Sequence, residues 1–260
     1  YYTRARNLHK CANIIHDKHN GIFPDHVKNL TALPGIGEYT AAAIISIAFD
    51  QPANVVDGNI ERIMARYFSV EKPLPDAKTI LKNLAGQLSD NRKDRPGDYA
   101  QALMDLGATI CRAQNPLCNN CPIHYDCKAY KEDKVKTLPL KKKKGPKPQK
   151  HGFVYWIVRQ DGAVLFERRL EDNMLGGMLG LPTSEWVPKN TRRTNLNFGA
   201  ISATPHSIRH SFTHFDLELR ICLAEYHDNK QISDFLWIHR KDLYEIGMPS
   251  LFHKIVKLMM

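Results

Sequence analysis

Cys111-Arg112-Ala113-Gln114-Asn115-Pro116-Leu117-Cys118-Asn119-Asn120-Cys121-Pro122-Ile123-His124-Tyr125-Asp126-Cys127 carries four cysteines at the spacing C-x6-C-x2-C-x5-C. Four thiolates within so short a stretch can close around one metal centre. The other two of the six cysteines, Cys11 and Cys222, stand alone in apolar surroundings. This usage fits a reducing compartment and one metal site better than a set of disulfides.

Working outward on the N-terminal side, Ala100, Leu103, Met104, Gly107, Ala108 and Cys111 follow helical spacing and predict a helix that delivers the first cysteine to the loop. On the C-terminal side, 8 basic and no acidic residues fall within 134–150, against 16 and 15 in 1–133 and 13 and 12 in 151–260. The net charge of +10 is therefore concentrated in one short run. It contains Lys141-Lys142-Lys143-Lys144 followed by Gly145, Pro146 and Pro148, which predicts an extended, unfolded connector that could also lie along a phosphate backbone. With 260 residues, two domains are expected, at 1–133 and 151–260.

The first domain reads as helical and the second as largely β. Phe153–Val158 predicts a buried strand, Asp161-Gly162 a hairpin turn and Val164–Phe166 its return. Leu217, Leu219, Ile221 and Leu223 alternate with Glu218, Arg220, Cys222 and Ala224 as in a half-buried strand, and Ser250–Met259 predicts a closing helix. No apolar run reaches the length of a membrane helix, so no membrane association is expected.

Two motifs precede the cysteines. Leu33-Pro34-Gly35-Ile36-Gly37 sits ahead of the Ala-rich run Thr40–Ile45, where two glycines opening a helix can turn backbone N–H groups toward a phosphate. A plain interhelical turn is the alternative. Val55-Val56-Asp57-Gly58-Asn59 then places an acid where it could act as a helix N-cap or as a reactive carboxylate.

Taken in order, the glycine hairpin, Val-Asp and the four-cysteine spacing resemble the endonuclease III superfamily of DNA glycosylases throughout residues 1–130. The resemblance implies an all-α helix-hairpin-helix glycosylase domain whose hairpin, at Leu33, Gly35 and Gly37, binds DNA. It also implies a [4Fe–4S] cluster on Cys111, Cys118, Cys121 and Cys127. Zinc is the structural alternative for a C-x2-C pair; the long first and last gaps, with Pro116 and Pro122, fit the cluster better. Members that cleave the strand carry a lysine two residues after the second hairpin glycine, where this chain has Tyr39, so a monofunctional, water-using enzyme is expected.

Within the superfamily the chain resembles the MutY-type adenine DNA glycosylases. That resemblance implies catalytic roles for Asp57, Asn59 and Tyr39 and an adenine pocket from Gln101, Met104 and Asp105. Leu175-Gly176-Gly177-Met178-Leu179-Gly180-Leu181-Pro182 resembles the family's C-terminal, Nudix-like α/β domain, yet the glutamate-rich R-E-x-x-E-E run of a Nudix hydrolase does not occur. A domain that reads a lesion without hydrolysing nucleotides is implied, with Phe212, Thr213 and His214 matching the family's Phe-Ser-His loop except for threonine. The threonine keeps the hydroxyl and adds a methyl group.

The resemblance implies a monomeric, intracellular base-excision repair enzyme, bacterial and nucleoid-associated, whose partner is duplex DNA containing adenine opposite 8-oxoguanine or guanine. Two alternatives are a DNA-binding lesion module without catalysis and an endonuclease III-like glycosylase and lyase. Tyr1–Leu8 reads as the middle of a helical domain, so an upstream segment carrying the family's glutamate acid is expected, and this chain is expected to be impaired without it.

Overall fold

The computed structural model describes residues 2–89, 93–143, 145–171, 173–188, 201–226 and 235–260. The chain divides into two compact units, Tyr1–Lys144 and Gly145–Met260.

The first unit is helical: α1 (Tyr2–His19), α2 (Val27–Thr31), α3 (Glu38–Ala48), α4 (Gly58–Tyr67), α5 (Lys78–Ser89), α6 (Pro96–Asp105) and α7 (Lys128–Lys131). Two apolar clusters join its longer helices. Cys11, Ile15, Leu30, Leu33, Ala41 and Ile45 join α1, α2 and α3, while Ile60, Ile63, Met64, Leu81, Ala85 and Ala100 join α4, α5 and α6. In α4 the apolar residues Ile60, Ile63 and Met64 recur at helical spacing and are at most 2% exposed. Each such burial contributes about 1.5–3 kcal/mol. That is enough to fix which face of α4 turns inward and so where its polar residues point.

The helix expected from Ala100 to Cys111 departs from its pattern after Asp105. Leu106–Ile110 forms a π-helical turn, closed by the Cys111 N–H donating to the Leu106 carbonyl at 2.7 Å. The wider turn rotates the stripe, leaving Gly107 buried and Ala108 exposed. π-turns of this kind concentrate at functional sites.

The basic stretch after Asp133 is not the free connector expected for 134–150. Val135 and Leu138 are buried against Ala129, the Leu74 N–H donates to the Leu140 carbonyl at 2.8 Å, and the Lys142 N–H donates back to the Leu74 carbonyl at 3.1 Å. Lys142 also pairs with Asp76 at 2.6 Å. Lysine density suggested solvation, but the interleaved Val135 and Leu138 supply apolar anchors that a charge count overlooks. Residues 134–143 thus form a strap on the first unit, Gln149 and Lys150 already belong to a strand, and Lys144 lies outside the described residues.

The second unit is a mixed sheet of β1 (Gln149–Arg159), β2 (Val164–Arg168), β3 (Leu179–Gly180), β4 (Val187–Pro188), β5 (Ile201–Ser211), β6 (Asp216–Tyr226) and β7 (Phe235–Ile238), with α8 (Ser250–Met259) at the end. The strand order is β3-β2-β1-β6-β5, with β4 on β1 and β7 on β2. β1 and β6 run parallel in continuous register from Gln149 opposite Asp216 to Arg159 opposite Tyr226. Both are central, so Cys222 and Ala224 are buried on the face opposite Leu217, Leu219 and Ile221, and β6 is more deeply covered than a half-buried strand. Gly180 is required where β3 meets α8, because a Cβ there would lie 2.4 Å from the Phe252 ring.

Candidate active site and cysteine loop

The hairpin between α2 and α3 is built on Gly35, whose φ of +80° suits glycine and whose added Cβ would stand 2.8 Å from Asn7 Cβ. Gly37 caps α3 in extended conformation with open space where a side chain would be, so the exposed backbone at this helix start can be approached closely. Leu33 does not belong to that surface. It is 5% exposed within the α1–α3 core, and its N–H is taken by the Leu30 carbonyl at 3.0 Å. Its part in a hairpin interface is therefore to pack beneath the turn rather than to touch a duplex.

Asp57 caps α4 and also anchors a polar chain. Its Oδ1 accepts the N–H groups of Asn59 at 2.9 Å and Ile60 at 2.8 Å, and its Oδ2 accepts Asn59 Nδ2 at 3.0 Å. The N-cap and reactive-carboxylate readings are therefore compatible, since capping fixes the carboxylate plane without covering it in apolar packing. Asn59 Oδ1 accepts Arg62 Nη2 at 3.0 Å. Arg62 in turn donates from Nη2 to the Gly107 carbonyl and from Nε to the Cys111 carbonyl, both at 2.7 Å. A continuous set of hydrogen bonds runs from the Asp57 carboxylate to the backbone of the first cysteine.

Gly107 permits this approach: a Cβ there would sit 2.6 Å from Asn59 Cβ. Gly107→Ala is expected to displace Asn59 and to destabilise the protein by about 1–3 kcal/mol, read as a lower urea midpoint. An unchanged midpoint would show that the two elements are not packed this tightly.

The other expected pocket residues are placed as follows. Tyr39 is 41% exposed and its hydroxyl donates to Met104 Sδ at 3.6 Å, joining the start of α3 to α6. Gln101 and Asp105 are exposed one helical turn apart on α6, with Gln101 Nε2 on the Gly97 carbonyl at 3.2 Å.

The cysteine loop turns twice through short 3₁₀ segments, Cys118–Asn120 and His124–Asp126, before α7. All four thiols are free. Burial first pushes the Cys118 and Cys127 thiols above the ordinary thiol range, and neighbouring cysteines add to it; Arg66 opposes the rise at Cys118 and a hydrogen bond with the Tyr130 backbone opposes it at Cys127. Among the described residues no three His, Cys, Asp or Glu side chains are grouped to hold a single metal ion. Arg66, 2% exposed, brings a guanidinium 3.3 Å from Cys111 Sγ. Soft thiolate donors beside a buried cation suit a thiolate-ligated, negatively charged cluster.

Sequence reasoning passed over Arg62 and Arg66. Their signal is visible in hindsight, because Asn59, Arg62 and Arg66 lie three and four residues apart and share one face of α4.

In the second unit Phe212 is half-buried among His210, Phe215 and Trp186, with ring centroids at 4.6, 4.9 and 5.7 Å. Thr213 and His214 are exposed at the tip. The turn is pinned by the Phe212 N–H on the Phe215 carbonyl at 2.9 Å and by Ser211 Oγ donating to Asp216 Oδ1 at 2.6 Å. Lys147 Nζ donates to the Phe212 carbonyl at 2.9 Å. A loop held at both ends presents its two tip side chains with little ordering left to do on binding.

A hairpin-bearing helical unit with a cysteine loop, followed by a mixed sheet closed by one helix, defines a two-part class, and both parts match known families. Residues 18–47 match the family described as helix-hairpin-helix motif and residues 153–258 the NUDIX domain. The adenine DNA glycosylases of Buchnera aphidicola from Schizaphis graminum and from Acyrthosiphon pisum are 30% and 31% identical to the chain. The matches cover 99% of this chain in both cases, and 76% and 75% of the relatives. The mouse adenine DNA glycosylase is 45% identical over 134 residues, 50% of this chain and 25% of that protein. The chain belongs to the adenine DNA glycosylase family. It spans about three-quarters of the length of the Buchnera relatives. Among the described residues no helix is long and apolar enough to cross a membrane.

Proposed function

We propose that this protein is a monofunctional base-excision repair glycosylase that hydrolyses the N-glycosidic bond of adenine paired with 8-oxoguanine in duplex DNA. The observation that carries the reading is the Asp57 carboxylate, held by two backbone N–H groups and by Asn59, which Arg62 fixes in turn. Departure of adenine builds positive charge on the deoxyribose, and a carboxylate set in place beforehand stabilises that charge without reorganising. Asn59, tied to Asp57 through Nδ2, keeps the carboxylate turned and helps place the attacking water. The base must leave the stack to be reached, and the exposed Gln101 and Asp105 on α6 are the side chains proposed to read it. Gly35 and Gly37 would hold the backbone through N–H groups without choosing sequence.

Tyr39 stands where lyases of the superfamily carry their amine, so the proposed reaction uses water and forms no Schiff base. Cys111, Cys118, Cys121 and Cys127 would hold a [4Fe–4S] cluster. Bound there, it would act as a cross-link that shapes the loop, since hydrolysis of a glycosidic bond needs no electron from it.

Recognition of 8-oxoguanine is assigned to Phe212, Thr213 and His214. Replacing the three by alanine should reduce the preference for 8-oxoguanine:adenine over undamaged duplex by about 10-fold or more, while salt-sensitive general binding remains. Titrations of both duplexes at two salt concentrations check it. An unchanged preference would remove this loop from the account.

A further inference from the structure

Arg66 has contacts that a residue serving only the cysteine loop would not need. Its Nη1 donates to the Cys111 carbonyl and to Cys111 Sγ, both at 3.3 Å, and to the Arg112 carbonyl at 2.8 Å; its Nη2 reaches the Ala113 carbonyl at 3.4 Å. Its own carbonyl accepts Cys127 Sγ at 3.6 Å, so the first and last cysteines both touch this one residue. The remaining guanidinium edge points elsewhere: Nε donates to the Leu138 carbonyl at 3.0 Å, inside the strap 134–143. The planar fork divides its donors between two segments that are otherwise far apart in sequence, and lysine cannot reproduce that division.

We propose that Arg66 is a positioning residue that makes the seating of the strap depend on the loaded cysteine site; the inference rests on the cluster reading above. Ligation fixes Cys111 and Cys127, and with them the two ends of Arg66. A fixed Arg66 offers Nε in the one place where the Leu138 carbonyl can accept it. When the cysteines are free to move, the guanidinium loses its partners on the loop side, and the strap loses an anchor beneath its apolar residues Val135 and Leu138. The strap then remains held by the Leu74 hydrogen bonds and by ion pairs of half-buried Lys134 and exposed Lys142, which are weak alone.

Hydrogen exchange read by mass spectrometry tests this on the protein as isolated, with iron content measured in every sample. Three samples are compared: loaded wild type, wild type stripped by oxidant and chelator, and Arg66→Lys. The strap peptides contain the Lys142 amide, and the neighbouring peptide contains the Leu74 amide; α3 serves as the control for global unfolding. The expected result is exchange about 10-fold faster at these two amides in stripped wild type and in iron-retaining Arg66→Lys, with α3 unchanged. Strap exchange that stays slow after iron is removed, or in Arg66→Lys with full iron, would overturn the proposal. If Arg66→Lys fails to fold, the two wild-type samples decide: selective strap release supports the inference, and equal protection of strap and α3 rejects it. Wild type that holds no iron as isolated overturns the cluster reading and this inference together. Iron-loaded wild type whose strap ignores its removal overturns the inference alone.

Discussion

Asp57→Asn is expected to lower single-turnover adenine release by the native gene product on the order of 10³-fold while leaving lesion-duplex affinity within about threefold. The substitution separates the two tasks of this side chain. Asparagine caps a helix as well as aspartate does, so the bonds from the Asn59 and Ile60 N–H groups survive on its oxygen. The charge does not survive. The new amide nitrogen also meets the Asn59 Nδ2 group, where the native oxygen accepted it, so one hydrogen bond is lost or Asn59 must turn away from Arg62. The stability cost should be about 1 kcal/mol, too little to explain the loss of rate. Adenine release, duplex binding and a urea midpoint measured on one preparation separate these effects. A rate within tenfold of wild type would show that Asp57 is a cap and nothing more.

Arg62→Met is the second large effect, and it should appear in stability and rate together. Methionine approximates the length of arginine but removes the Arg62 donor from Asn59 Oδ1 and the Gly107 carbonyl, and leaves the Cys111 carbonyl with the longer Arg66 contact at 3.3 Å. Unmet, partly buried acceptors cost about 2–4 kcal/mol in total. Asn59 is then free to leave Asp57, and imprecise placement of a reacting group costs about 10–100-fold in rate. Arg62→Lys should recover part of the stability and little of the rate, because a single ammonium cannot serve three acceptors set by a fork. Denaturation and single-turnover measurements on both variants check this ordering. Equal rates for methionine and lysine with equal stability would mean that the Asp57–Cys111 chain has no part in catalysis.

The parts that sequence made legible are those in which local chemistry decides the outcome. Asp161-Gly162 forms its expected turn, with Gly162 at φ +82°, and the helix expected at Ser250–Met259 has those bounds. The glycine hairpin forms because Gly35 needs its positive φ whatever surrounds it. Elements set by tertiary context were not legible. Among the described residues β5 pairs with β6 alone; it contains Pro205 and is mostly exposed, so its sequence lacks the apolar alternation that marks an inner strand. The strap was misjudged because its lysines outnumber the few apolar residues that dock it. Leu33 was assigned to a DNA-facing surface by its place in a motif, and its apolar side chain put it in the core instead.

In the site, residue identities were more legible than their connections. Asp57 and the cysteines stand out by type and spacing. The bonds that unite them pass through Arg62, Arg66 and the π-turn at Leu106–Ile110, which depend on how α4 meets α6. A sequence read one helix at a time does not show that meeting.

The most direct test is incubation of the native gene product with an 8-oxoguanine:adenine duplex, with and without borohydride. The expected result is release of free adenine, a strand that stays intact until alkali is added, and no covalent adduct with borohydride, because Tyr39 supplies no amine. A borohydride-trapped adduct with strand cleavage, or no adenine release from this duplex, would contradict it.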